Sequence, residues 1–164
     1  MGKKMTSPNS TPRIVNRRAW HDYYITARLE CGLELTGTEI KSLRAGAIKI
    51  DEAHARLCRG ELFLIGSNIA SYPNAAPGMQ HEPTRDRKLL VHRRQIDQLQ
   101  AHVSQKGKTL VPLSVYFKKG WAKVEIGLAE GKRNFDKRED LRLRDAKRDI
   151  AREMGRRNRR SPDG

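Results

Sequence analysis

The sequence predicts a mainly β protein: a small antiparallel barrel or sandwich with about three flanking helices and a basic C-terminal tail. Three observations predict it. Short runs rich in β-branched and aromatic residues recur through the middle of the chain, separated by turns that contain Gly. Only a few intervening stretches carry apolar residues at helical spacing. Charge is also unevenly spread: residues 1–21 hold five bases and no acids, 22–131 hold 16 bases and 12 acids, and 132–164 hold 13 bases and 7 acids. A nearly balanced body therefore lies between two cationic extensions. A length of 164 residues suits one domain with tails.

In order, residues 1–12 are expected to be a disordered leader, because Lys3, Lys4, Ser7, Pro8 and Pro12 offer nothing to bury. A short helical turn near Asn16–Trp20 leads into a strand over 22–29, rich in aromatic and β-branched residues. Cys31-Gly32 is read as a turn. Thr36 and Glu39 have the spacing of a capping box, so a helix is expected over 38–45, ended by Gly46. Residues 53–58 and 62–65 form a hairpin around Arg59-Gly60-Glu61. Pro73, Pro77, Gly78 and Pro83 mark a long loop. Ile96, Leu99 and Val103 make one buried stripe on a helix over 92–106. Two strands follow, 110–117 and 121–126, joined at Lys118-Lys119-Gly120. Pro112 cannot donate to a ladder, so its strand lies at an edge or is bulged there. The body is thus expected over 13–131. In the tail, 132–164, Leu143, Ala146, Ile150 and Met154 form a narrow stripe among charged residues. With no partner face such a helix is marginal in water, so the tail is expected to be disordered when free and helical on a partner.

The residues offer little to catalysis. The five His are scattered, without a metal-binding spacing, so no metal or other cofactor is expected. The stretch Gly127–Arg133 superficially resembles a phosphate loop, but it has one residue too few between its glycines and Arg133 where a hydroxyl belongs. Two Cys without a paired motif fit reduced thiols in a cytoplasmic protein. No run approaches the ~20 apolar residues of a membrane helix, so no membrane partner is expected. A formal charge of +15 instead points to a polyanion. Basic groups stand beside aromatic residues at Arg17-Arg18 with Trp20 and His21. Two further groups are Arg85-Arg87-Lys88 and Lys118-Lys119-Lys123. Folded RNA is bound by such combinations of phosphate neutralisation and base stacking.

Several stretches then resemble one family. They are Asn16–Ile25, Gly32–Gly46 (Gly-Leu-Glu-Leu-Thr-Gly-Thr-Glu-Ile-Lys-Ser-Leu-Arg-Ala-Gly), Pro83–Leu90, Lys123–Ala129, Gly131-Lys132 and Asp136–Arg138. Together they resemble the SsrA-binding proteins (SmpB). The resemblance implies an oligonucleotide-binding (OB-like) barrel and a non-enzymatic RNA adaptor. Such an adaptor binds the tRNA-like domain of tmRNA and delivers it to stalled ribosomes for trans-translation, in which incomplete proteins are tagged and ribosomes rescued. The implied partners are tmRNA, the small-subunit decoding region with its mRNA channel and, indirectly, the elongation factor that carries charged tmRNA.

By the same resemblance, Glu30, Leu90 and Lys123 match positions tied to tmRNA binding, and Asn16, His21, Lys41 and Arg44 match the polar surface around them. Arg17 and Lys88 join this RNA-binding set from the basic clusters. Gly131, Lys132, Asp136, Lys137 and Arg138 match the start of a tail that works on the ribosome; Phe135 is grouped with them, and Ile150 and Met154 belong to the tail's apolar stripe. Two positions depart from the pattern: Phe135 stands where some members carry His, and Glu130 where Lys is common. Composition alone would equally suit a structural ribosomal protein or a general RNA chaperone.

Overall fold

The computed structural model describes residues 11–159. The expected leader falls mostly outside the described residues. The chain divides into two units between Gly131 and Lys132.

The first unit begins with β1 (Ile14–Val15), α1 (Arg17–Asp22), β2 (Tyr23–Leu33) and α2 (Gly37–Arg44). It continues through β3 (Ile48–Lys49), β4 (His54–Cys58), β5 (Glu61–Ile65), β6 (Asn68–Ile69) and β7 (Arg87–Leu90). α3 (Arg93–Val103), β8 (Lys108–Lys118) and β9 (Trp121–Gly131) complete it. The pairing runs β8-β4-β5-β7-β2-β9 and returns from β9 to β8. The ring is closed and antiparallel throughout. Closure leaves these six strands without a free edge. β1 adds to β8, and β3 pairs with β6 as a separate ribbon.

Local chemistry accounts for the two tight hairpins. Arg59 and Gly60 have φ of 51° and 76°, and Lys119 and Gly120 have φ of 51° and 80°. Two successive positive φ angles define the turn whose twist matches that of the flanking strands. At Pro112 the register of β8 against β9 shifts between Pro112 and Ser114. The missing donor is thus absorbed by a bulge, with β8 paired on both sides.

Cys31-Gly32 is not a turn, contrary to expectation. β2 runs straight through it, with Cys31 opposite Val124, and Gly32 opposite both Lys123 and Leu90. A Cβ on Gly32 would lie 3.1 Å from the Leu90 Cβ, so this Gly serves a close approach of strands. The Gly127–Gly131 stretch is likewise extended and belongs to β9.

Every side chain from Leu110 to Val115 is buried. This continuous run reflects two apolar layers. Leu110, Val115, Val124 and Ile126 join Leu62, Leu64 and Ile69 in the main core. Val111, Leu113 and Ala129 pack with Ala19 of α1. α3 contributes Ile96 and Leu99, and each fully buried Leu or Ile contributes about 1.5–3 kcal/mol.

In the second unit, α4 (Asn134–Arg159) is one helix of 26 residues, about 39 Å long at 1.5 Å per residue. Asp136 accepts from the Arg133 amide at 3.3 Å, which suits the positive end of the helix dipole. Lys132 pairs with Asp140. Leu143, Ile150 and Met154 are exposed along the helix.

Candidate nucleic-acid interface

A groove of about 730 Å³ is formed by β2, α2, the β7–α3 junction and the β8–β9 turn. It gathers four of the residues singled out in the sequence: Glu30, Arg44, Leu90 and Lys123. These come from positions up to 93 residues apart and meet because β2 pairs with both β7 and β9. Leu33, Leu35, Ile40 and Phe117 supply an apolar lining. Leu90 is 51% exposed and Trp121, also in the lining, is 73% exposed. Arg44 lies over the Phe117 ring, 5.6 Å from its centroid. The groove therefore offers cations for phosphates and open hydrophobic or aromatic surfaces for bases.

Glu30 is an acid on a surface expected to meet phosphate, and its contacts explain how it is tolerated. Its carboxylate accepts from the Tyr116 hydroxyl at 2.5 Å and from Lys118 Nζ at 3.2 Å. The Tyr116 hydrogen bond, followed by Lys118, holds the carboxyl below its ordinary range. Burial, and then Glu30, pushes the Tyr116 phenol up to about 12. Glu30 thus stays ionised and Tyr116 protonated at neutral pH, and the pair fixes Lys118 beside the groove.

The other candidates lie elsewhere. Asn16 is 1% exposed, which corrects the expectation that it contributes to a polar surface. Its Oδ1 accepts from the Ala19 amide at 3.0 Å, and its Nδ2 donates to the Ile50 and Pro112 carbonyls at 3.1 and 2.9 Å. These contacts cap α1 and tie it to the barrel. Arg17 is exposed on α1, and His21 Nδ1 lies 2.9 Å from Asp22 Oδ1. Lys41 borders a separate hollow under the 72–81 loop, with Nζ 5.2 Å from the Tyr72 ring centroid. Lys88 donates to Glu61 at 2.5 Å.

The Arg85-Arg87-Lys88 cluster is not one basic patch. Arg87 is fully buried, Arg85 pairs with Glu39 and Lys88 pairs with Glu61. The signal that separates them is Glu39, which the capping-box spacing identified without revealing its second task. Trp121 and Phe117 were missed as site residues. A lone Trp after a hairpin Gly carries no mark of exposure in sequence.

In the tail, Gly131 ends β9 and Lys132 pairs with Asp140. Phe135 is 68% exposed, Ile150 57% and Met154 68%. Arg138 is exposed, Lys137 is half-buried, and Asp136 caps the first turn.

Among the described residues, no three His, Cys, Asp or Glu side chains cluster to hold a metal ion. Cys31, beneath the groove, is buried and its thiol is pushed up to about 12 by burial, which keeps it protonated and poorly nucleophilic. No described helix is long and apolar enough to cross a membrane.

Comparison with known proteins gives a consistent result. The pattern of the SmpB protein family matches residues 13–156. The SsrA-binding protein of Corynebacterium diphtheriae is 48% identical over 158 residues, covering 96% of each chain. That of Salinispora tropica is 53% identical over 142 residues, covering 87% of this chain and 89% of its own. Among solved structures, a chain from "tmRNA-SmpB: a journey to the center of the bacterial ribosome" superimposes with a TM-score of 0.64. It shares 46% identity and is matched over 80% of this chain and 95% of its own length. With the family pattern spanning most of the chain and relatives about half identical over nearly its full length, the chain belongs to the SmpB family of SsrA-binding proteins.

Proposed function

We propose that this chain is a non-catalytic RNA adaptor that binds the tRNA-like domain of tmRNA and brings it to stalled ribosomes for trans-translation. The observation that carries the reading is the groove, where Glu30, Arg44, Leu90 and Lys123 converge beside the open face of Trp121. Membership of the SmpB family and likeness to a chain from a tmRNA–SmpB ribosome study support the partner. Arg44 and Lys123 neutralise backbone phosphates, while Leu90 and Trp121 pack against bases. Arg17, His21, Lys41 and Lys88, outside the groove, supply further RNA contacts in this reading. Asn16 acts indirectly, by seating α1.

In the same proposal, the body over 13–131 holds tmRNA and the tail over 132–164 works in the decoding region and empty mRNA channel of the small subunit. Gly131 and Lys132 are the joint, and Phe135, Asp136, Lys137 and Arg138 form the first tail contacts. Ile150 and Met154 pack only once the helix meets its RNA-walled channel. An intact message would fill the same space, which makes the tail selective for broken messages. The setting is the cytoplasm.

The test is recovery of RNA with the purified chain from cells at two salt concentrations. Strong enrichment of tmRNA at both is expected. Recovery of bulk ribosomal RNA without tmRNA enrichment would overturn the adaptor reading in favour of a ribosomal protein or RNA chaperone. Protein-dependent cleavage of tmRNA would overturn its non-catalytic part.

A further inference from the structure

We propose that Glu39 is a positioning residue for the RNA groove, holding α2 and β7 in fixed relation without touching RNA. The inference rests on the reading of the groove as the tmRNA site. Glu39 is 0% exposed, so direct contact with a nucleic acid is sterically closed. Its carboxylate nevertheless joins three segments, the start of α2, the end of the long loop and β7. It accepts from Arg85 Nε at 2.7 Å and Arg85 Nη2 at 2.6 Å, from Arg87 Nε at 3.0 Å and from the Thr36 amide at 2.8 Å.

Arg87 is also fully buried. It donates its remaining hydrogens to Ser67 Oγ at 3.0 Å and to the carbonyls of Arg85, Pro83 and Glu82 at 3.0, 3.0 and 3.3 Å. One ion-pair network therefore ties the start of α2, the end of the long loop, β7 and the segment before β6.

The two groove walls grow from this network. Ile40 follows Glu39 directly, and Arg44 lies one turn beyond Ile40 on the same helix face. On the other side, β7 runs from Arg87 to Leu90. All three side chains line the groove. A buried pair of apolar side chains could also hold α2 against β7, but it would tolerate sliding. Here Arg85, two residues before β7, pairs bidentately with the carboxylate and Arg87 of β7 adds a second contact, which together restrict distance and orientation, and a buried charge left unpaired is strongly disfavoured. The network thus selects one spacing between Arg44 and Leu90.

The experiment compares the full chain with Glu39→Gln, Arg85→Ala and a core control, Val115→Ala. Thermal melting is measured first, then binding to the isolated tRNA-like domain of tmRNA at two salt concentrations, well below each melting temperature. Positioning predicts that folded Glu39→Gln loses about tenfold in affinity, a typical size for indirect coupling between sites. The slope of affinity against salt should stay unchanged, because no phosphate contact is removed. Arg85→Ala, which leaves Arg87 on Glu39, should lose less. Val115→Ala removes a fully buried side chain of the same barrel and should melt early yet bind as the parent does.

Parental affinity in folded Glu39→Gln, or an equal loss in Val115→Ala, overturns the proposal. If Glu39→Gln does not fold, Arg85→Ala decides in the same way. A parent chain that fails to bind the tRNA-like domain overturns the groove reading itself, before any variant is compared.

Discussion

Replacing Asn16 by Ala separates a structural role from an RNA contact at a position where sequence resemblance suggested the latter. The side chain makes three buried hydrogen bonds. Losing the Oδ1 acceptor uncaps α1, which typically costs about 1 kcal/mol. Losing Nδ2 leaves the Ile50 and Pro112 carbonyls one donor short, at about 1 kcal/mol each if water does not enter. The total is about 3 kcal/mol, a large share of the ~5–15 kcal/mol that holds a domain together. For a body of this size it corresponds to a fall in melting temperature of roughly 10 °C. Asn16→Asp should be at least as damaging. It keeps the cap acceptor but turns a second oxygen toward two carbonyls.

Thermal melting followed by circular dichroism measures the first effect, and RNA binding well below the transition measures the second. We expect folded Asn16→Ala to keep most of the parental RNA affinity. A melting temperature within about 2 °C of the parent, which is less than the shift expected from 1 kcal/mol, together with a marked loss of RNA affinity, would refute the reasoning and return Asn16 to the RNA surface.

The remaining predictions concern the groove, the buried acid and the tail. Lys123→Ala should weaken RNA binding across sequences and reduce the magnitude of the salt slope by about 1, read from binding isotherms at several salt concentrations. Trp121→Ala should cost about 1–3 kcal/mol of RNA affinity if it stacks on one base, and Trp121→Phe should recover part of it. Burial alone would raise the Glu39 carboxyl. The hydrogen bond from Arg85, the Thr36 amide and the charge of Arg87 outweigh it and hold the value at about 2. Because this folded-state value lies below the unfolded one, the stabilisation is complete above the ordinary carboxylate range. It is lost as pH falls toward 2, and is worth about 3 kcal/mol. Denaturant melts from pH 6 to pH 2 should show a shallower decline in Glu39→Gln than in the parent. Deleting residues after Gly131 should leave the body's melting temperature and tmRNA affinity nearly unchanged and abolish tagging of stalled proteins in a translation assay. Circular dichroism should show little helix in an isolated 132–164 peptide and a gain when small subunits are added.

The sequence by itself determined the features that depend on neighbouring residues. The two hairpins follow from Arg59-Gly60 and Lys119-Gly120, whose positive φ angles are a local demand. Pro112 announced its bulge because a missing N–H is a property of the residue. Ile96 and Leu99 announced the buried face of α3 through helical spacing. The long collinear motifs identified the family and pointed to Glu30, Leu90 and Lys123.

Tertiary structure alone decided which of these residues share a surface. Gly32 reads as a turn until it is seen paired with Leu90, whose side chain leaves little room for a Cβ there. Arg85, Arg87 and Lys88 read as one basic cluster, yet an acid 48 positions before Arg87 draws it fully inside and engages Arg85 as well. Asn16 reads as polar surface, although its partners Ile50 and Pro112 lie 34 and 96 residues away. Burial and ion pairing depend on contacts between distant segments, which the closed six-strand ring brings together. Turn geometry and helix periodicity can be read along a chain, whereas the environment of a charge is set by residues far from it in sequence.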